Sequence, residues 1–329
     1  MSEPRKTTKE SASAFDRDCI LNYQYRSEGS SPLAEALREH LSRPVAKILP
    51  AGLPANAVTM TANTISYASC LLAVVVAILA PVASSMWLLL SALGILVYTI
   101  LDNADGMHAK RTGTSGPLGD FLDHWLDAIS NVCLGIAVTS VMGVSTVWGI
   151  LLVCLVLLAF WSVHYERLMS GILKFPQMGD VEANLSVVIL LATTAICGLQ
   201  IWQHTFFGVS LGNWGCGALV LWSAAIAVLA ILQSGQVAAA VGLVASWIPL
   251  LTAVVWALNT NSPINVGLAL TLKGIAGLIG VVHVGTVLQG HLLGKSARLL
   301  NRPLIAAGCL LAAIWVTAGG NRQDRKSGV

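Results

Sequence analysis

The chain is dominated by a succession of apolar runs, each close to the roughly 20 residues that carry a helix across a bilayer. They lie near 57–80, 84–106, 118–141, 146–165, 181–201, 214–233, 236–258, 264–290 and 303–319. Lipid offers no water to backbone amides, so such runs must close their hydrogen bonds within themselves as helices. The expected fold is an all-α polytopic membrane protein with about nine or ten spans. Composition agrees: 55% of residues are hydrophobic and 11% charged, with a mean hydropathy of +0.74. A soluble domain carries about 25% charged residues. The net charge of +3 gives no reason to expect a nucleic-acid partner. The seven cysteines have no metal-ligand spacing and read as small buried hydrophobes.

The first 50 residues contain mixed charges and no apolar h-region, so no signal peptide is expected there. Within them, "SPLAEALREHLSRPVAKIL" (31–49) sets Leu33, Leu37, Leu41 and Val45 four residues apart among charges. That pattern predicts an amphipathic helix on the membrane surface. The chain accordingly divides into an N-terminal segment (1–50), a transmembrane core (51–235), and further spans with a short polar tail (236–329). Basic residues cluster in the loops holding Lys110 and Arg111, Arg167 and Lys174, and Lys295, Arg298 and Arg302. Under the positive-inside rule these loops and the N-terminus face the cytoplasm, in a bacterial inner membrane or an internal eukaryotic one. In the eighth run Lys273 and His283 should face protein or a cavity rather than lipid. Trp161, Trp202, Trp214 and Trp256 sit near span ends, as an aromatic belt would have them. His164, Glu166 and Arg167 read as interfacial, and His108 as structural.

One polar stretch breaks the pattern: "DNADGMHAKRTGTSGPLGDFLDHWLD", residues 102–127. Acids at a membrane boundary are costly and by default mark a functional site. Asp102 and Asp105 are three apart, and Asp123 and Asp127 four apart, so on helices each pair shares a face. The glycines and proline between them predict a turn that brings the pairs together. Asp120 reads as a helix cap or a solvated group. Four converging carboxylates repel unless cations neutralise them, and all-oxygen ligands suit Mg²⁺ or Mn²⁺. Two such ions would bridge a diphosphate, with Lys110 or Arg111 meeting its remaining charge.

The same stretch resembles the signature of the CDP-alcohol phosphotransferases, D-x-x-D-G-x-x-A-R, eight residues, then G-x-x-x-D-x-x-x-D. Asp102, Asp105, Gly106, Ala109, Gly119, Asp123 and Asp127 fall in register, while the signature arginine is Lys110, followed by Arg111. Three further stretches resemble the choline/ethanolaminephosphotransferase branch: "ILNYQYRSEGSSPLAEAL" with "LPANAVTM", His124 directly after Asp123, and "HYERLMSGILKFPQMGDVEANL".

The resemblance implies a six-helix catalytic core, a homodimer, and a two-metal enzyme using Mg²⁺ or Mn²⁺. CDP-choline or CDP-ethanolamine would be the donor and diacylglycerol the acceptor, which enters from the surrounding membrane lipids. Asp102, Asp105 and Asp123 would be metal ligands, with Asp127 shared between metal and acceptor. Gly106, Ala109 and Gly119 would admit the cytidine and diphosphate, and Lys110 and Arg111 would offset phosphate charge. Asn56 would cap the first span, reach the diphosphate, or both. The base is either Asp127 or His124, the latter with or without help from Glu182, which by its sequence could equally cap the fifth span. The shared signature also admits the other branch, in which CDP-diacylglycerol is the donor and inositol, glycerol or serine the acceptor. A proton-coupled secondary transporter would explain the acids but not the basic pair and glycine-rich turn between them.

Overall fold

The computed structural model describes residues 20–21, 23–79, 84–174, 179–235, 237–259 and 266–294. Among the described residues eight long helices carry the fold: α1 Ala55–Leu79, α2 Ser84–Thr112, α3 Pro117–Val141, α4 Thr146–Ser170, α5 Asp180–Cys197, α6 Leu211–Ser234, α7 Val237–Asn259 and α8 Val266–Leu292. All but α7 are long and apolar enough to cross a membrane; α7 is apolar over a shorter stretch, Val237–Thr252. The chain is thus an all-α polytopic membrane protein. The first eight apolar runs of the sequence coincide with these helices, and the expected ninth, at 303–319, lies outside the described residues.

The helices α1 and α2 pair closely, α3 packs against α1, and α4 joins α3 to α6, while α5 rests on α2. Helix α8 lies against α3 and α4, with α7 outside it. Two apolar clusters fill the bundle, one centred on α3, α4 and α8 and the other on α1, α2, α3 and α5. Glycines on α8 make its approach close: a methyl added at Gly277 would run into Val132, and one at Gly280 into Leu157. Many hydroxyls in the spans are satisfied locally. Thr99, Ser162 and Thr194 each donate to the carbonyl four residues back, at 2.8, 2.6 and 2.7 Å, as hydroxyls do in helices without water. Lys273 and His283 of α8 are buried, and Lys273 Nζ donates to Thr139 Oγ1 at 2.8 Å, so neither meets lipid. Trp161, in contrast, is no interfacial anchor: it is 1% exposed within the cluster around α4.

The N-terminal surface helix runs through Pro32–Leu37, a π-turn at Arg38–Ser42 and Arg43–Ile48. The π-turn shifts its face. The buried positions are Ala34, Leu37, Ser42 and Ala46, while Leu33, Leu41 and Ile48 stay exposed. Leu37 of the sequence stripe therefore packs on protein with Ala34, Ser42 and Ala46, while Leu33 and Leu41 stay exposed, as residues turned to a membrane surface would be. Ahead of this helix, β1 Ser27–Glu28 pairs in parallel with β2 Leu173–Lys174, which straps the N-terminal segment across the end of α4. A second two-stranded pair, β3 Thr205–Phe206 with β4 Val209–Ser210, closes the α5–α6 connection.

A candidate active site at the α2–α3 turn

The polar stretch of the sequence becomes the end of one membrane helix and the start of the next. Helix α2 stops because Gly113 adopts a left-handed conformation, φ 69°. Its amide reaches Lys110 O, and the amide of Thr114 reaches Ala109 O at 2.9 Å, the bond pattern of a Schellman terminus. Gly116 is extended and Pro117 opens α3 at a first-turn position that needs no amide hydrogen. The turn thus folds the acidic last turns of α2 against the acidic first turns of α3.

Carboxylate oxygens of Asp102, Asp123 and Asp127 lie within 4.8 Å of one another. Asp127 Oδ1 accepts from the Tyr98 hydroxyl at 3.0 Å, whereas Asp102 Oδ1 is buried and has no hydrogen-bond partner among the described residues. An orphaned buried carboxylate oxygen beside two others is a donor set that fits a hard divalent cation. Asp105 stands beside this triad rather than in it: it is 5% exposed and accepts from the Thr59 hydroxyl of α1.

These acids line a cavity of about 650 Å³. The N-terminal segment roofs it with Tyr23, Tyr25, Ser27 and Ser31, and Asn56, Gly106, Ala109, Lys110 and Gly119 line it as well. The first helical residue of α1 is Ala55, so Asn56 falls inside the first turn, and its Oδ1 comes within 3.1 Å of where a Cβ on Gly119 would stand. The two basic residues part ways. Lys110 lines the cavity, its Nζ 5.8 Å from the centre of the Tyr25 ring. Arg111 turns to the surface helix, donating to Lys47 O at 3.3 Å, to Leu49 O, and to His108 Nδ1 at 3.0 Å. His108, fully buried, bonds Leu53 O through Nε2 at 2.8 Å, a structural role.

Asp120 is neither a cap nor solvated. It pairs with Arg167 of α4 at 3.0 Å, with the two side chains 5% and 1% exposed, and its Oδ1 lies 3.3 Å from His124 Nδ1. Arg167 also donates to the Tyr23 hydroxyl at 2.9 Å and lies 5.1 Å from the Tyr25 ring centre. His164 and Glu166, like Arg167, are buried rather than interfacial, and Glu166 accepts from Lys174 at 2.8 Å. Burial, reinforced by the Asp120 charge, holds the Tyr23 hydroxyl well above its ordinary range, and burial pushes Tyr25 up to about 12. Both tyrosines are therefore neutral at physiological pH.

His124 sits at the centre of this group. Its Nδ1 donates to the Asp120 carbonyl at 2.8 Å, its ring stacks on Tyr25 with centres 6.3 Å apart, and it meets the edge of His164 at 4.7 Å. A carbonyl can only accept, so Nδ1 carries the hydrogen and neutral His124 keeps an open lone pair on Nε2. Glu182 is engaged on both oxygens, accepting from the Ser31 hydroxyl and from Gly179 N, the latter at 2.7 Å. It caps the first turn of α5 from its N3 position and latches the N-terminal segment.

Beyond His124 lies a second, apolar chamber of about 140 Å³ between α3, α4, α5 and α6. The two spaces share His124, Gly179 and Asp180. Sequence reading did not single out Asp180, Thr59, Tyr98 or the Arg167–Asp120 pair as parts of the site. An arginine in the last turn of an apolar span was the one available signal for the pair.

The fold and this site define a polytopic membrane protein with a carboxylate cluster, fit for divalent cations, at the turn between two spans. Residues 59–209 match the family model described as CDP-alcohol phosphatidyltransferase. Cholinephosphotransferase 1 of Gallus gallus is 33% identical over 195 residues, 57% of each chain. The same-named protein of Xenopus laevis is 28% identical over 204 residues, 61% of this chain and 50% of its own. Ethanolaminephosphotransferase 1 of Homo sapiens is 29% identical over 213 residues, 60% of this chain and 51% of its own. The matches span between half and three-fifths of these relatives' length. Residues 59–209 are thus similar to the CDP-alcohol phosphotransferases, with choline- and ethanolaminephosphotransferases among the similar proteins.

Proposed function

We propose that the protein transfers phosphocholine or phosphoethanolamine from the CDP-linked amino-alcohol to the free hydroxyl of diacylglycerol, releasing CMP. The observation that carries this reading is the meeting of two unlike cavities at His124. One is polar and lined by acids, suited to a nucleotide diphosphate with its cations; the other is apolar and set among membrane helices, suited to a lipid. A phosphotransferase joining a water-soluble donor to a lipid acceptor needs both, with a base at the seam.

Asp102, Asp123 and Asp127 would hold the divalent ions, with Asp105 on the same turn of α2 steadied by Thr59. Bound there, the ions would offset the negative charge of the diphosphate and of the departing CMP. Lys110 meets phosphate charge from the other side, while Gly106, Ala109 and Gly119 let the nucleotide approach the backbone and Asn56 reaches the diphosphate. His124 takes the hydroxyl proton at Nε2. Asp127 is the poorer base because Tyr98 already donates to it and a cation held there would lower its proton affinity. The oxygen freed of its proton attacks the phosphorus bearing the amino-alcohol, and the bond from that phosphorus to CMP breaks. Glu182 holds the N-terminal roof through Ser31, and Arg111 holds the surface helix. The catalytic core comprises α1 to α6, with the active site on the cytoplasmic side of a homodimer.

Purified protein with Mg²⁺ or Mn²⁺ tests this directly by CMP release. CDP-choline or CDP-ethanolamine with diacylglycerol should turn over. Turnover confined to CDP-diacylglycerol with small alcohols would overturn the choice of donor while retaining the acid cluster.

A further inference from the structure

Asn184 stands on α5 with only 5% of its surface exposed, and its side chain lines the apolar chamber together with that of Asn131 on α3. Asn131 is half-buried, and among the described residues neither carboxamide bonds a protein group; both are reached from the chamber. The other asparagine buried in the bundle, Asn63, is matched by protein: its Nδ2 donates to Thr59 O at 3.1 Å and its Oδ1 accepts from Ser130 at 2.8 Å. A buried amide that opens only into an apolar space is costly unless a ligand completes it. That ligand must carry a hydrogen-bonding group at one depth and hydrocarbon around it.

The positions set that depth. Asn184 is one helical turn beyond Asp180, about 6 Å along α5, and Asn131 is seven residues beyond His124, about 10 Å along α3. Asp180 and His124 mark the seam where the acceptor's hydroxyl must react. In a glycerolipid the ester groups lie a few bonds from the free hydroxyl, one or two turns below that seam. A carboxamide donates two hydrogens and accepts at its oxygen, so its N–H groups suit an ester carbonyl.

We propose that Asn184, supported by Asn131, donates hydrogen bonds to an ester carbonyl of the glycerolipid acceptor, so that the site selects ester-linked over ether-linked acceptors. The inference rests on the phosphotransferase reading and deepens it. A dialkylglycerol has the same hydroxyl and the same chains but no carbonyl, which leaves the amides unmatched when it binds. Sites built to hydrogen-bond a substrate group discriminate against analogues that lack it.

The test compares chain-matched dioleoylglycerol and dioleylglycerol diether as acceptors, using the full chain in mixed micelles with whichever CDP-amino-alcohol it turns over. One hydrogen bond predicts that kcat/KM favours the ester by about threefold to tenfold. In Asn184→Leu the ratio should fall to about one by loss of turnover on the ester, and Asn184→Gln should restore part of it. Asn131→Leu is read in the same way should Asn184→Leu fail to elute as a folded species. An ester-to-ether ratio of one in the unmutated protein, or an undiminished ratio in Asn184→Leu and Asn131→Leu, overturns the inference and leaves the reaction standing. Absence of turnover with either glycerolipid, alongside turnover of CDP-diacylglycerol with small alcohols, overturns the reaction and the inference with it.

Discussion

Asp123 and His124 are neighbours in sequence but point to different duties, and their variants should separate them. Asp123→Asn removes one charge from a triad of acids within 4.8 Å, and should lower kcat/KM by about 10² to 10³-fold while weakening the response to added Mg²⁺. His124→Ala should lower kcat by about 10² to 10⁴-fold with little change in the Mg²⁺ concentration needed; an unaltered kcat would return the base to Asp127. Asp120→Asn alone leaves Arg167 buried beside no carboxylate, which should cost about 3–5 kcal/mol and lower the unfolding temperature. Combining it with Arg167→Leu should recover part of that loss in the same melting experiment. The gathering of the four signature acids at one turn was legible in the sequence because their spacing is helical and their setting apolar, whereas His124 was singled out through the family resemblance. The Asp120–Arg167 pair was not, because its members are 47 residues apart and each alone reads as a helix-end or interfacial charge. Glu182 was legible as a cap, but its bond to Ser31 depends on a contact between distant segments that no local pattern encodes.

The helices themselves were legible from apolar length alone, and the α2–α3 turn from Gly113, Gly116 and Pro117. The face of the surface helix was not. A four-residue leucine stripe presumes 3.6 residues per turn, and the π-turn at Arg38–Ser42 inserts an extra residue that rotates the later turns of the helix. Arg111 was expected near phosphate because it comes directly after the signature position, yet its geometry ties α2 to the two carbonyls that end this helix. Arg111→Ala should therefore loosen residues 32–48, seen as faster amide exchange across them, with a smaller effect on donor KM than Lys110→Ala produces. Helix α8 offers a packing test. Gly280→Val places a side chain against Leu157 of α4 and should destabilise the bundle by about 1–3 kcal/mol, measured by thermal unfolding in detergent.

The molecule as a whole places acids at the ends of spans and an apolar chamber beside them, an arrangement that the proposed transfer from a water-soluble donor to a lipid would use. Chelation by EDTA should abolish CMP release and Mg²⁺ or Mn²⁺ should restore it; activity that survives chelation would remove the cation cluster from the mechanism. The roof over the acids comes from the start of the chain, while its anchor, Glu182, lies 151 residues beyond Ser31. During synthesis the carboxylate cluster is complete once Asp127 is made, but the latch needs Glu182, a further 182 − 127 = 55 residues. At about 5–20 residues per second, the nascent protein passes several seconds with its carboxylates made and their cover still unfastened, an interval in which cations can reach them unhindered.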